Sequence, residues 1–136
     1  MGRRREESRA DRYLHLRSGT YQYHRRVPAE VGDLDSRGPM IRVSLKTGDL
    51  QKAMALRDIH ERADNEYWAS LIMGSDADVA MRRYRAAVAR AAALGFTYRS
   101  AVEIASEPLE TQLARIEKAA TFSEGSPEVV ALLGLA

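Results

Sequence analysis

The sequence predicts an α+β protein: a small three-stranded antiparallel sheet packed on one long helix, followed by an all-helical extension. Three observations predict it. Residues 13–27 and 40–45 alternate apolar and polar side chains, the period of a strand. From Leu50 to about Met73 the apolar residues recur at helical spacing. Beyond Gly74 the segments read as helices, each opening on a start signal.

The stretch Tyr13 to Pro28 reads as a β-hairpin. A two-residue loop at Ser18-Gly19 pairs Leu16 with Tyr21, Leu14 with Tyr23, His15 with Gln22 and Tyr13 with His24. Paired residues share a face, and this register sorts the side chains cleanly. Leu14, Leu16, Tyr21, Tyr23 and Val27 take one face; Tyr13, His15, Arg17, Gln22, His24 and Arg26 take the other. A three-residue loop would oppose Leu14 to Gln22 and His15 to Tyr21, mixing the two sets. The even loop is preferred, with Gly19 supplying the positive φ such turns need. Arg25 has the parity of the apolar set and is expected near the sheet end, its stem snorkelling outward.

Pro28 ends the second strand, and residues 28–39 form a loop that carries Glu30, Asp33 and Asp35. Met40 to Leu45 alternates again, with Ile41, Val43 and Leu45 on one side and Arg42 and Ser44 on the other. That gives the third strand a hairpin needs for stability in water. Thr47 and Asp49 are candidate caps for the long helix, on which Ala53, Leu56, His60, Ala63, Tyr67 and Leu71 make one stripe. This stripe is expected to cover the apolar sheet face. Gly74 stops the helix, and Ser75-Asp76-Ala77-Asp78 opens the next, which runs to about Leu94 and stops at Gly95. A short helix follows near Ser100–Ser106; Pro108 then leads Leu109, Leu113 and Ile116 on one face. Ser126-Pro127 opens a last, nearly apolar segment over Glu128–Leu135.

Composition narrows the function. The chain has 136 residues, no cysteine and a net charge of +2, so disulfides and thiolate metal sites are excluded and a cytoplasmic setting is expected. Residues 1–60 hold 13 Lys/Arg against 8 Asp/Glu; residues 61–136 hold 8 against 11. A basic front with an acidic back points to a polyanion partner for the front alone. No secretory signal, membrane-length apolar run, Gly-rich phosphate loop, nucleophile elbow or zinc-spaced histidine pair is present. No catalytic residue, cofactor, metal or small-molecule substrate is therefore assigned. His60 reads as a core histidine, Tyr67 and Trp68 as packing residues, and the Arg82-Arg83-Tyr84-Arg85 run as solvated surface.

The outer sheet face is the candidate site. Tyr13, His15, Arg17, Thr20, Gln22, His24, Arg26, Arg42 and Ser44 supply donors and positive charge without a carboxylate. A β-ribbon fits the major groove of DNA, where Arg reads guanine and Gln reads adenine through paired hydrogen bonds. Arg17, Gln22, Arg26 and Arg42 are the expected base contacts, with the others serving bases or phosphates. The competing reading is an ordinary solvated face.

The order of these features resembles a known family. Tyr13-Leu14, Arg17-Ser-Gly-Thr-Tyr21, Arg25-Arg26-Val27-Pro28, Ile41-Arg42-Val43-Ser44-Leu45-Lys46-Thr47-Gly48-Asp49 and an Ala-rich helix are similar to the N-terminal region of phage-type integrases, the tyrosine site-specific recombinases. The resemblance covers about residues 12–73; Leu94-Gly-Phe-Thr-Tyr98 and Glu107-Pro-Leu-Glu110 extend it. It implies a sheet that binds accessory, arm-type sites on double-stranded DNA, with catalysis in a separate C-terminal domain. The chain is then a non-catalytic fragment: a basic flexible tail (1–11), a sheet-plus-helix DNA-binding unit (12–73) and a helical extension (75–136) leading toward a core-binding domain. Two alternatives stand beside it. One is self-association or protein docking through 75–136 with the sheet as scaffold; the other is a free-standing DNA-binding regulator.

Overall fold

A computed structural model describes residues 10–72 and 76–136. It has strands β1 (Leu14–Arg17), β2 (Thr20–Arg26) and β3 (Met40–Ser44), then helices α1 (Leu50–Ile72), α2 (Asp76–Ala93), α3 (Ala101–Ile104), α4 (Leu109–Ala119) and α5 (Pro127–Leu133). The strands form one antiparallel sheet in the order β1-β2-β3. α1 lies against its inner face, and the later helices pack onto α1 through α2. The fold class is the α+β architecture that the sequence predicts.

The hairpin takes the even register: Leu14 faces Tyr23, His15 faces Gln22 and Leu16 faces Tyr21. Ser18 and Gly19 both have positive φ, 51° and 81°, which matches the right-handed twist of the flanking strands. The tip is pinned from below. A Cβ on Gly48 would lie 2.5 Å from the Gly19 carbonyl oxygen, so only glycine lets the β3–α1 turn approach this closely. Lys46, at φ 57°, is an extra residue in the ladder: Leu45 N–H donates to Tyr21, but Tyr21 N–H donates onward to Thr47. Asp49 caps α1 by accepting from Gln51 N–H at 3.0 Å.

Several expectations shift. Ala10 to Tyr13 form a turn rather than tail, with Arg12 ion-paired to Glu61 at 2.6 Å; the rest of the expected tail, residues 1–9, lies outside the described residues. So do the helix stop at Gly74 and the cap at Ser75. Leu16 has the expected parity but stays 60% exposed. Leu109, Leu113 and Ile116 do share one face, and that face is exposed. Arg25 does not simply snorkel. Its guanidinium lies 4.9 Å from the Tyr13 ring and 4.6 Å from the Trp68 ring, and donates to Asn65 Oδ1 at 2.7 Å.

The core is built around charge. Tyr23, Val27, Ile41, Val43 and Leu45 pack on Ala53 and Trp68, and beneath them lies a buried ionic cluster. Asp64 accepts from the Tyr23 hydroxyl at 2.7 Å, from Arg37 at 2.9 Å and from Arg90 at 2.8 Å. Arg37 also holds Asp35 at 2.8 Å and Glu128 of α5 at 2.9 Å. Trp68 Nε1 donates to Asp35 at 2.8 Å. Burial alone would raise the Asp64 carboxyl, but the guanidiniums of Arg90 and Arg37 and the Tyr23 hydroxyl bring it down to about 2. These contacts bridge the expected boundary between the 12–73 and 75–136 units.

Two stability predictions follow from this core. Asp64→Asn should destabilise the protein by about 3–5 kcal/mol, because it leaves Arg37 and Arg90 buried against a neutral amide; urea unfolding measures this. The second concerns His60, stacked on Tyr23 at 5.2 Å and driven down to about 4, chiefly by burial. Its folded value lies below the reference of about 6.5, so the unfolded chain takes up the proton first. Stability is then full above about pH 6.5 and falls toward about pH 4, by roughly 3 kcal/mol. His60→Phe keeps a ring and removes the titration, so its urea midpoint should fall less between about pH 7 and about pH 4.5.

Candidate nucleic-acid interface

Strand parity decides which side chains leave the core. On the face away from α1, His15, Gln22 and Ser44 form one row across the three strands, and His24 and Arg42 begin the next. Arg17 pairs with Thr20 toward the hairpin tip, and Arg26 pairs with Met40 at the far end. His15, Arg17, Arg26 and Arg42 are exposed; Thr20, Gln22, His24 and Ser44 are half-buried by their neighbours. Met40 has the parity of this face and was not among the expected contacts.

Tyr13 leaves the set. Parity places it opposite His24, and His24 N–H does donate to the Tyr13 carbonyl at 2.8 Å. Yet Tyr13 takes φ 63° at the entry to β1, which breaks strand alternation and turns its ring to the inner side. There it meets Tyr23 edge-to-face at 6.1 Å and lies under the Arg25 guanidinium. The alternation rule assumes extended backbone, and Tyr13 precedes it.

The two histidines of the face lie against each other. His15 and His24 stack with centroids 4.3 Å apart and planes 25° from parallel. His24 Nε2 lies 3.0 Å from Gln22 Oε1. With Nε2 as donor, the Gln22 oxygen is engaged and its NH₂ stays available to an acceptor beyond the sheet. Burial, then the fields of His15, Arg42 and Arg17, hold His24 below the usual histidine range. Each of those neighbours carries, or can carry, positive charge. Burial and this basic surrounding both disfavour protonation of His24.

One of the three loop acids is withdrawn from the surface, while Glu30 and Asp33 stay exposed. Asp35, counted with Glu30 and Asp33 in the sequence, turns inward to Arg37 and Trp68, and its carboxyl ends below the ordinary range although burial acts to raise it. Sequence-distant residues also border the sheet. Met40, Arg42, Thr121, Phe122 and Ser123 line a 220 Å³ groove along β3. Lys118 is held below the usual lysine range by burial and then by the field of Lys46 in the β3–α1 turn. Neither feature has a local sequence signal, since both join segments more than seventy residues apart.

No helix among the described residues is long and apolar enough to cross a membrane, and no three His, Asp or Glu side chains among them converge as a metal site. Comparison with known proteins bears on the sheet and α1. A family model described as a domain of unknown function, DUF6538, matches residues 13–73, from the entry of β1 to the end of α1. No curated protein and no solved structure matches the chain.

Proposed function

We propose that this chain is the DNA-binding front of a phage-type integrase, a tyrosine site-specific recombinase. It engages accessory duplex sites through the outer face of the sheet. The observation that carries the proposal is the composition of that face: Arg17, Gln22, His24, Arg26, Arg42 and Ser44 share one side of a single sheet, and the charged groups acting on His24 are all basic. The seven residues of β2 give a face roughly 20 Å long and the three strands about 10 Å of width. The major groove is about 12 Å wide and accepts a strand ribbon. The residue types fit groove chemistry, with Arg and Gln reading base edges and Thr, Ser and His reaching phosphates. The resemblance to integrase N-termini supports the same assignment. In this reading the chain supplies the address and not the strand exchange, and works in the cytoplasm beside the DNA.

Fluorescence anisotropy with accessory-site duplexes and a scrambled duplex tests the proposal. Affinity should fall steeply with salt as phosphate contacts release counterions. Arg26→Ala should weaken specific binding by about 1–3 kcal/mol and reduce discrimination against the scrambled duplex. Unchanged affinity in an Arg26→Ala/Arg42→Ala double variant would sink the sheet-face assignment.

The histidine pair gives a separate prediction. His24 is depressed in the free protein by burial and basic neighbours, and a phosphate brought close would reverse that field. Binding then takes up a proton, so affinity rises as the pH falls from about 8 to about 6. In His24→Gln this dependence should flatten while the salt slope persists. An identical pH profile in wild type and variant would rule out His24 as a phosphate neighbour.

A further inference from the structure

The helical extension leaves two apolar stripes uncovered. On α4 these are Leu109, Leu113 and Ile116; on α2 they are Ala77, Met81, Tyr84 and Val88, all exposed. Both stripes step by four and three residues, the spacing that lets one helix pack along another. Their flanks differ. Beside the α4 stripe stand Glu110 and Glu117, so two copies laid antiparallel would set carboxylate against carboxylate. The equivalent positions on α2 are Asp78 and Arg85.

We propose that α2 is a self-pairing surface, on which a second copy of this chain lies antiparallel. Met81 then sits over Tyr84 of the second copy and Ala77 over Val88 of the second copy. The same geometry brings Asp78 beside Arg85 of the second copy, and two-fold symmetry repeats the pair at the other end. Among the described residues neither Asp78 nor Arg85 has an ion-pair partner within its own chain, whereas the neighbouring Arg82 is held by Glu66 at 3.2 Å. A parallel arrangement offers no such match, because it sets Arg85 against the alanine at 80 and leaves Asp78 away from Arg85. Ala86, Ala87, Arg90 and Ala91 commit α2 to the core. Ala91 lies one heptad beyond Tyr84, so the open stripe ends at Val88, and the Tyr84 ring keeps an exposed face beside its edge contact with Tyr98. Leu135, 60% exposed, extends the apolar rim where α5 meets α2. The pairing segment spans roughly 16 Å of helix, which suits a reversible dimer rather than an obligate one. It is independent of what the sheet contacts.

Sedimentation equilibrium of the full 136-residue chain over a wide concentration range tests this. The expected result is a reversible monomer–dimer equilibrium. Arg85→Asp and Asp78→Arg should each weaken it by about tenfold or more, since each sets like charges together at both ends. The double exchange Asp78→Arg/Arg85→Asp should restore it to within about threefold of wild type. Circular dichroism checks that each variant remains folded, as exchanges at exposed positions should leave it. A monomer at every concentration overturns the proposal. So does a dimer indifferent to the single exchanges, one that the double exchange fails to restore, or one abolished by Leu113→Glu on α4.

Discussion

A single buried carboxylate fixes how the elements of this protein meet. Asp64 receives the Tyr23 hydroxyl from the middle strand, Arg37 from the loop before β3 and Arg90 from α2. Arg37 passes the connection to Glu128 of α5. An ion in the interior is tolerated only with its partners in place, and the desolvation of each rivals the attraction it gains. The cluster therefore adds little net stability over an apolar core of the same shape, but it makes alternative packings expensive. A sheet shifted on α1 by one residue would strand Asp64, and helices docked elsewhere would strand Arg37 and Arg90. Positional precision is what such an arrangement provides to a three-stranded sheet, which on its own has few ways to define its seat.

The two faces of the sheet divide the chemistry accordingly. On the inner side, the aromatic and charged groups are consumed by one another: Arg25 between Tyr13 and Trp68, Tyr23 on His60 and Asp64, Asp35 under Arg37. The outer side keeps Arg17, Arg26 and Arg42 exposed. Formal charge along the sequence is thus a poor map of the surface. Acidic Glu107 and Glu128 of the second half are spent on Arg115, Arg99, Arg37 and Arg90, and acidic Asp35 of the first half is hidden. The electrostatic character of the outer face rests on a few strand residues whose parity is fixed, and not on the overall balance.

This explains which parts of the fold were legible beforehand. Hairpin register follows from side-chain parity and an even loop, both local, and Leu14, Tyr23, His15 and Gln22 pair accordingly. The long helix and the caps at Asp49 and Ser126 follow from equally local signals. Asp64, Arg37 and Arg90 were invisible because periodicity looks for apolar residues at buried positions, and a charge there reads as surface until its partner is known. Those partners lie 26 and 27 residues away. Tyr13 was misplaced for the opposite reason, a purely local one: its left-handed backbone ends the alternation one residue before β1 begins.

On the proposed reading, the long, flexible cations of the outer face lose side-chain entropy when they bind. The backbone beneath it need not add to that loss. Gly48 against Gly19 holds the hairpin tip, the Tyr23–Asp64 bond holds the middle strand to α1, and the half-buried Gln22, His24 and Ser44 already sit among their neighbours. Only the arginines remain to be ordered. In the proposed role, mobile donors on a frame fixed from behind search for an anion while strand spacing dictates which of them arrive together. The buried ionic cluster and the open basic face are therefore linked, since the first makes the spacing of the second a fixed property of the fold.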